Sequence, residues 1–154
     1  MLPEKYKKRS FLRFRVPVDN ARLRREFDAI PASAWQSSYW GDVHCSVGML
    51  LLRGGGSGTE ADFYSDSVQD SPLLNELEYI KSLLDKSGPF GRAHYAFLFR
   101  MEPNGVTKIH RDLEEKWKTM YRIHVPIKTN PKALLFSDGF WQHFTAGSPW
   151  SFDN

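Results

Sequence analysis

The stretch from Tyr121 to Ile127 constrains the fold most, because its residues alternate between two chemical kinds. Arg122 and His124 stand between apolar positions, which are Tyr121, Ile123, Val125 and Ile127. Successive side chains of a β-strand point to opposite faces of the sheet. The pattern therefore predicts a half-buried strand whose polar face carries Arg122 and His124 together.

An earlier segment carries a second polar pair, His110 and Asp112, at the same spacing of two residues. A Pro-Asn-Gly tripeptide at 103–105 favours a tight turn after the alternating segment 93–101. We therefore expect residues 106–112 to return as an antiparallel strand that projects His110 and Asp112 to one face. If both polar faces line one cavity, that cavity can hold a metal ion beside an acidic ligand, because an arginine fork binds a carboxylate at two points.

Two other interpretations of His110 and Asp112 exist. A solvated turn also produces a His-x-Asp pair without any function. The sequence HRDL at 110–113 matches the start of a protein-kinase catalytic loop, but that loop requires an asparagine where Trp117 stands. No glycine-rich loop followed by a strand lysine precedes it, and a chain of 154 residues is too short for a kinase domain. The kinase interpretation is therefore rejected.

Length and composition favour one globular domain. The 154 residues are 41% hydrophobic and 14% aromatic, which is typical of a chain that buries a core. Cys45 is the single cysteine, so an internal disulfide framework is excluded and a reducing compartment is expected. The longest apolar run, at 47–52, is too short to span a bilayer, and the N-terminus lacks the apolar stretch of a signal peptide. We expect a cytoplasmic protein without a membrane partner.

Positive charge is concentrated near the N-terminus. The net charge is +3, and Lys and Arg residues between positions 4 and 25 outnumber the acids Glu4 and Asp19 by nine to two. Such a cluster can contact nucleic acid, but it is more often a solvated face, and no nucleic-acid-binding motif accompanies it. A nucleic-acid partner is therefore not the favoured expectation, and an RNA- or DNA-associated protein acting through residues 4–25 is the weaker alternative.

The remaining patterns predict helices and strands in a definite order. A helix capped by Asp19 or Asn20 runs to about Ala29, and Ser71 with Pro72 begins the clearest helix. Strands are expected at 11–16, 43–53, 93–101 and 133–136. This order predicts a mainly β, α+β fold, in which a barrel or sandwich carries helices on its outside.

Several ordered motifs between residues 103 and 154 resemble the core of the aspartyl/asparaginyl β-hydroxylase family, a cupin-type branch of the Fe(II)/2-oxoglutarate-dependent dioxygenases. The matching pieces are Pro103-Asn104-Gly105, His110-Arg111-Asp112, Tyr121 to Ile127, Thr129-Asn130-Pro131 and Gly147 to Asn154. The last piece is similar to the family's Gly-x-x-Trp-x-Phe-Asp-Asn run. We expect a single domain over 1–154, with a basic leader at 1–10 and strands and helices at 11–92. The resemblance, which is loose over residues 1–100, implies a double-stranded β-helix (jelly-roll or cupin) core at 93–154.

The resemblance also implies roles for individual side chains. His110 and Asp112 would bind the iron, and Arg122 and His124 would bind a carboxylate, either that of 2-oxoglutarate or that of the substrate. His110, Asp112 and Arg122 would be the catalytic residues. O2 would hydroxylate an aspartyl or asparaginyl residue of a peptide, or a free amino acid such as proline. The site would be framed by Trp150, Phe152 and Asn154.

One departure from the family pattern changes the expected site. In the family, a distal iron-binding histidine and then an arginine for the co-substrate follow the Phe-Asp-Asn run, whereas this chain stops at Asn154. We therefore expect a jelly roll that is incomplete at its C-terminal end, with His143 as a poorly matched substitute ligand. The alternative is a non-catalytic cupin-like module that binds a carboxylate through Arg122 and His124.

Overall fold

The fold is that of a computed structural model, which describes residues 10–44, 46–56, 67–111 and 120–152. Three α-helices lie within these ranges, at Asn20–Ala29 (α1), Pro72–Glu76 (α2) and Glu78–Leu84 (α3). The strands there are Phe11–Arg13 (β1), Gln36–Ser37 (β2), Val47–Gly54 (β3), Gln69–Asp70 (β4), Ala96–Met101 (β5), Leu135–Ser137 (β6), Phe140–Gln142 (β7) and Trp150–Phe152 (β8). The protein thus mixes helices with antiparallel sheets, and the described ranges contain no closed barrel.

The chain divides into two compact units. The terminal unit comprises Met1–Arg24 and Ile109–Asn154, and the central unit comprises Arg25–Lys108. The expected single domain with a jelly-roll core at 93–154 stays a prediction. No helix in the described part of the chain is long and apolar enough to cross a membrane.

Strand β3 is the centre of the central unit. It pairs antiparallel with β2, β4 and β5. It begins at Val47, four residues after the start of the strand predicted at 43–53, and ends one residue beyond it, at Gly54. Six of its eight residues are buried, in a nearly continuous run rather than in alternation. A strand that is covered on both faces has no solvent-exposed face on which polar residues are favoured. This explains the uninterrupted apolar sequence at 49–52.

Aromatic side chains cover both faces of this sheet. On one face the ring of Trp40 packs edge-on against Phe97 of β5, with centroids 6.1 Å apart. Arg100 is three residues further along β5 and therefore points to the opposite face. There its guanidinium carbon lies 4.8 Å from the ring centroid of Trp35. The tryptophan-rich segment before β3 thus supplies a cover for each face.

The helix predicted to begin at Ser71 and Pro72 forms, but it is divided. The hydroxyl of Ser71 accepts a first-turn backbone N–H at 3.2 Å, which confirms the predicted cap. At Leu77 the backbone leaves the helical region, with φ −106°, and separates α2 from α3. The carboxylate of Glu26 accepts the N–H groups of Tyr79 and Ile80 at 2.7 and 2.9 Å. The unpaired N–H groups at the start of α3 are therefore hydrogen-bonded by a side chain distant in sequence. No local sequence pattern could have predicted the break between α2 and α3.

The terminal unit contains two small antiparallel sheets, β1 with β8 and β6 with β7. Asp138 and Gly139 connect β6 to β7 with φ of 49° and 83°, the left-handed pair that suits a two-residue hairpin. The helix α1 begins as predicted, because the Asp19 carboxylate accepts the N–H groups of Ala21 and Arg22, each at 3.1 Å.

Two predicted strands differ in the structure. The expected strand at 106–112 is wrong over its described residues, 106–111, which lie in no strand. Lys108 there donates its N–H to the carbonyl of Val43 at 3.0 Å, outside any ladder. The segment 121–127 makes one isolated antiparallel bridge, at His124, instead of a full strand. Alternation selects which face a residue occupies, whereas a ladder also needs a neighbouring strand along its length.

Candidate functional site

The segment that carries Arg122 and His124 is paired through its backbone with the segment 147–152. His124 donates its N–H to the carbonyl of Trp150 at 2.7 Å and accepts the N–H of Trp150 at 2.8 Å. Gly147 donates its N–H to the carbonyl of Pro126 at 2.8 Å. Two of the motifs found in the sequence are therefore neighbours in the terminal unit, and β8 joins them to β1.

A glycine is required where this pairing begins. Gly147 has φ of +73°, in the left-handed region that L side chains rarely adopt. A Cβ atom added to Gly147 would lie 2.8 Å from the Cβ of Asn20 at the start of α1. Both the turn and the close approach therefore exclude a side chain, which gives a physical reason for the glycine that opens the Gly-x-x-Trp motif.

Arg122 and His124 both lie against the ring of Phe152. The guanidinium carbon of Arg122 is 5.5 Å from the ring centroid, and the His124 imidazole centroid is 4.8 Å from it, with an interplanar angle of 33°. The two side chains thus occupy one side of their segment, as their spacing of two predicts. Contact with the ring removes part of the water around a guanidinium while leaving its charge, and such a cation is suited to bind a carboxylate.

An aromatic cluster packs on β8 beside this pair. Trp150 stacks on Phe144 with centroids 4.7 Å apart and an interplanar angle of 3°, and Phe144 is buried. The indole N–H of Trp150 donates to the hydroxyl of Ser148 at 2.7 Å. The ring of Phe152 lies against the side chains of Arg122 and His124, whereas Trp150 pairs with His124 through its backbone. The third residue expected to frame the site, Asn154, lies outside the described residues.

The predicted metal ligands are not gathered into a site by the described residues. His110 is exposed, and Asp112 lies outside the described ranges. His143, the proposed substitute, is half-buried, and its Nδ1 lies 2.9 Å from the carbonyl oxygen of Ala133. Among the residues whose placement is described, no three His, Cys, Asp or Glu side chains come together to hold a metal ion. The assignment of His110 and Asp112 as iron ligands therefore stays a prediction.

A charged cluster around the buried Arg53 in the central unit was missed by sequence reasoning. Arg53, which is 4% exposed, donates to Asp70 and Asp85 at 2.6 Å each and to the carbonyl of Leu84 at 2.5 Å. Lys81 also pairs with Asp70. The hydrogen bond from Arg53, with a smaller effect from Lys81, lowers the pKa of Asp70 from 3.8 to about 2 despite partial burial. The one local signal was an arginine at the end of an apolar strand, and its partners are distant in sequence.

Comparison with known proteins gives no independent assignment. No protein-family model matches the chain, and no solved structure matches it. The class of function therefore rests on the order of the motifs and on the geometry of Arg122, His124 and Phe152.

Proposed function

We propose that this chain is the core of a Fe(II)- and 2-oxoglutarate-dependent hydroxylase of the aspartyl/asparaginyl β-hydroxylase type, built on a double-stranded β-helix. Its substrate is an aspartyl or asparaginyl residue of a peptide, or a free amino acid such as proline. The observation that carries the proposal is the backbone pairing of two motif segments, 121–127 and 147–152, with Arg122 and His124 against Phe152. The order of the other motifs, including His110-Arg111-Asp112, supports it.

Arg122 and His124 are assigned to the binding of a carboxylate. The planar guanidinium of Arg122 can donate two parallel hydrogen bonds to the two carboxylate oxygens. His124 can donate a third bond from a ring N–H, since the imidazole lies on the same side of the segment. The ring of Phe152 excludes water from one side of the pair, and a charge-assisted bond is stronger where less water competes. A dicarboxylate such as 2-oxoglutarate or an acidic substrate satisfies these donors.

His110 and Asp112 have the donor chemistry of the histidine–carboxylate sites that bind Fe(II). When bound, the iron would activate O2 for hydroxylation of the substrate, with conversion of 2-oxoglutarate to succinate and CO2. A complete facial set requires a third protein ligand. Asp112 lies outside the described residues, so the iron site rests on the sequence motif alone. The carboxylate-binding role of Arg122 and His124 rests on their contacts with Phe152.

The test of the hydroxylase is an anaerobic titration of Fe(II) with 2-oxoglutarate, followed by the metal-to-ligand charge-transfer band. We expect a band in the parent chain and none in His110→Ala. His94→Ala is the matched control, since His94 is exposed and has no assigned role, and it should keep the band. Loss of the band in His143→Ala would identify His143 as the third ligand. Absence of the band from the parent chain would contradict the hydroxylase for this molecule.

A second candidate is a non-catalytic module that binds a carboxylate ligand. It is favoured by one observation, that Arg122 and His124 are already placed together on Phe152. Its test is calorimetric binding of 2-oxoglutarate in the presence of a chelator. Binding that is at least ~10-fold weaker in Arg122→Ala, corresponding to about 1.4 kcal/mol, and unchanged in His110→Ala would favour the module. Arg122→Lys keeps the positive charge but removes the planar guanidinium that can bond both carboxylate oxygens. Lys132→Ala removes a positive charge elsewhere in the chain and is the control for net charge.

A further inference from the structure

A groove opens beside the buried ion-pair cluster of the central unit. Its volume is about 910 Å³, within the range of small-molecule sites. Its walls carry both charges and one hydroxyl. The lining residues are Arg53, Val68, Asp70, Asp85, Lys86, Ser87 and Arg92. All of them belong to the central unit, whereas Arg122 and His124 belong to the terminal unit.

The acidic residues of the groove already have cationic partners. Asp70 pairs with Arg53 and Lys81, and Asp85 pairs with Arg53. Among the lining residues, the two acids are outnumbered by three cations, Arg53, Lys86 and Arg92, which leaves a net charge of +1 at the groove. Within the described part of the chain, Lys86 and Arg92 form no ion pair. The excess positive charge is therefore carried by two exposed side chains that a ligand can reach.

We propose that this groove binds a small molecule through a phosphate group. Four of the five N–H groups of Arg53 are engaged, and its charge is offset by Asp70 and Asp85, so Arg53 holds the groove wall in place rather than supplying the excess charge. Lys86 and Arg92 supply mobile ammonium and guanidinium donors, and Ser87 supplies a hydroxyl. A phosphate group is attracted by this excess positive charge and accepts several charge-assisted hydrogen bonds at once. The proposal does not depend on the proposed hydroxylase.

The test is calorimetric titration with inorganic phosphate at constant ionic strength, followed by glycerol phosphate to include an ester. We expect saturable binding of one phosphate group per chain, weakened at least ~10-fold in the Lys86→Ala/Arg92→Ala double variant. Both side chains are exposed, so the variant should unfold at the parent's temperature. The matched control is Lys128→Ala/Lys132→Ala, which removes two exposed lysines from the terminal unit and should leave binding unchanged.

Three outcomes would overturn the proposal. The first is absence of saturable binding by the parent chain to either probe. The second is equal weakening in the two double variants, which would mean that the affinity for phosphate depends only on the net charge of the chain. The third is binding that is unchanged in Lys86→Ala/Arg92→Ala.

Discussion

Strand β3 of the central unit and the β6–β7 hairpin of the terminal unit are both rich in apolar residues, yet they differ in burial. Leu52 of β3 is 1% exposed, whereas Phe140 and Trp141 of β7 are 62% and 63% exposed. β3 has hydrogen-bonded neighbours on both sides, while β6 and β7, within the described ranges, pair with each other alone. Apolar sequence therefore does not decide burial by itself, because burial also requires neighbouring elements.

The largest expected effect comes from a cavity at the centre of β3. Leu52→Ala should lower the free energy of unfolding by about 3 kcal/mol, because a fully enclosed leucine leaves a cavity that its neighbours cannot fill. The matched control is Leu134→Ala, where the leucine beside β6 is 52% exposed and the loss should be under about 0.5 kcal/mol. Urea denaturation of the two variants measures both values. Equal losses would contradict the difference in burial.

The second effect tests the charged cluster at the end of β3. The pKa of Asp70 is about 2 in the folded chain and 3.8 ordinarily, so its ionised form stabilises the fold. This contribution, about 2 kcal/mol, is present above pH 4 and is lost as the pH falls towards 2. Unfolding experiments across that window measure it, with Asp70→Asn as the variant that lacks this titration. A parent chain with the same acid dependence as Asp70→Asn would show that the ion pair with Arg53 does not contribute.

The helix starts could be predicted because their causes are local. Asp19 and Ser71 cap helices through side chains that reach their own first turns. The break at Leu77 depends on Glu26, some fifty positions earlier, and could not be predicted. The pairing of β1 with β8 likewise joins the two ends of the chain, and strand alternation carries no information about such partners.

The third effect tests the turn that supports the candidate site. Gly147→Ala should cost about 1.5 kcal/mol, since alanine is strained at φ +73° and its Cβ would approach Asn20. Gly139→Ala isolates the strain, because Gly139 also has positive φ but no atom near the added Cβ. Hydrogen exchange at the amides of His124 and Trp150 is the local measurement. We expect faster exchange there in Gly147→Ala and unchanged exchange in β3; unchanged exchange at His124 would contradict the role of this turn.

The candidate site was predictable in part. The common side of Arg122 and His124 follows from their spacing, because a two-residue repeat needs no knowledge of the fold. Their contact with Phe152 is a long-range feature, for which the motif resemblance, rather than periodicity, gave the indication. The cluster around Arg53 was missed because a single charged residue in an apolar strand does not reveal which acids will pair with it.

The smallest expected effect comes from the exposed hairpin. Trp141 lies opposite Phe136 in the β6–β7 register, with ring centroids 4.9 Å apart, so the pair contributes a cross-strand contact and little burial. Trp141→Thr should therefore lower the free energy of unfolding by about 0.5 kcal/mol, the usual value of an exposed aromatic pair. Trp141→Phe keeps an aromatic partner and should lose less, as urea denaturation would measure. A loss above about 2 kcal/mol in Trp141→Thr would mean that the ring is enclosed in solution, and the contrast between β3 and this hairpin would then fail.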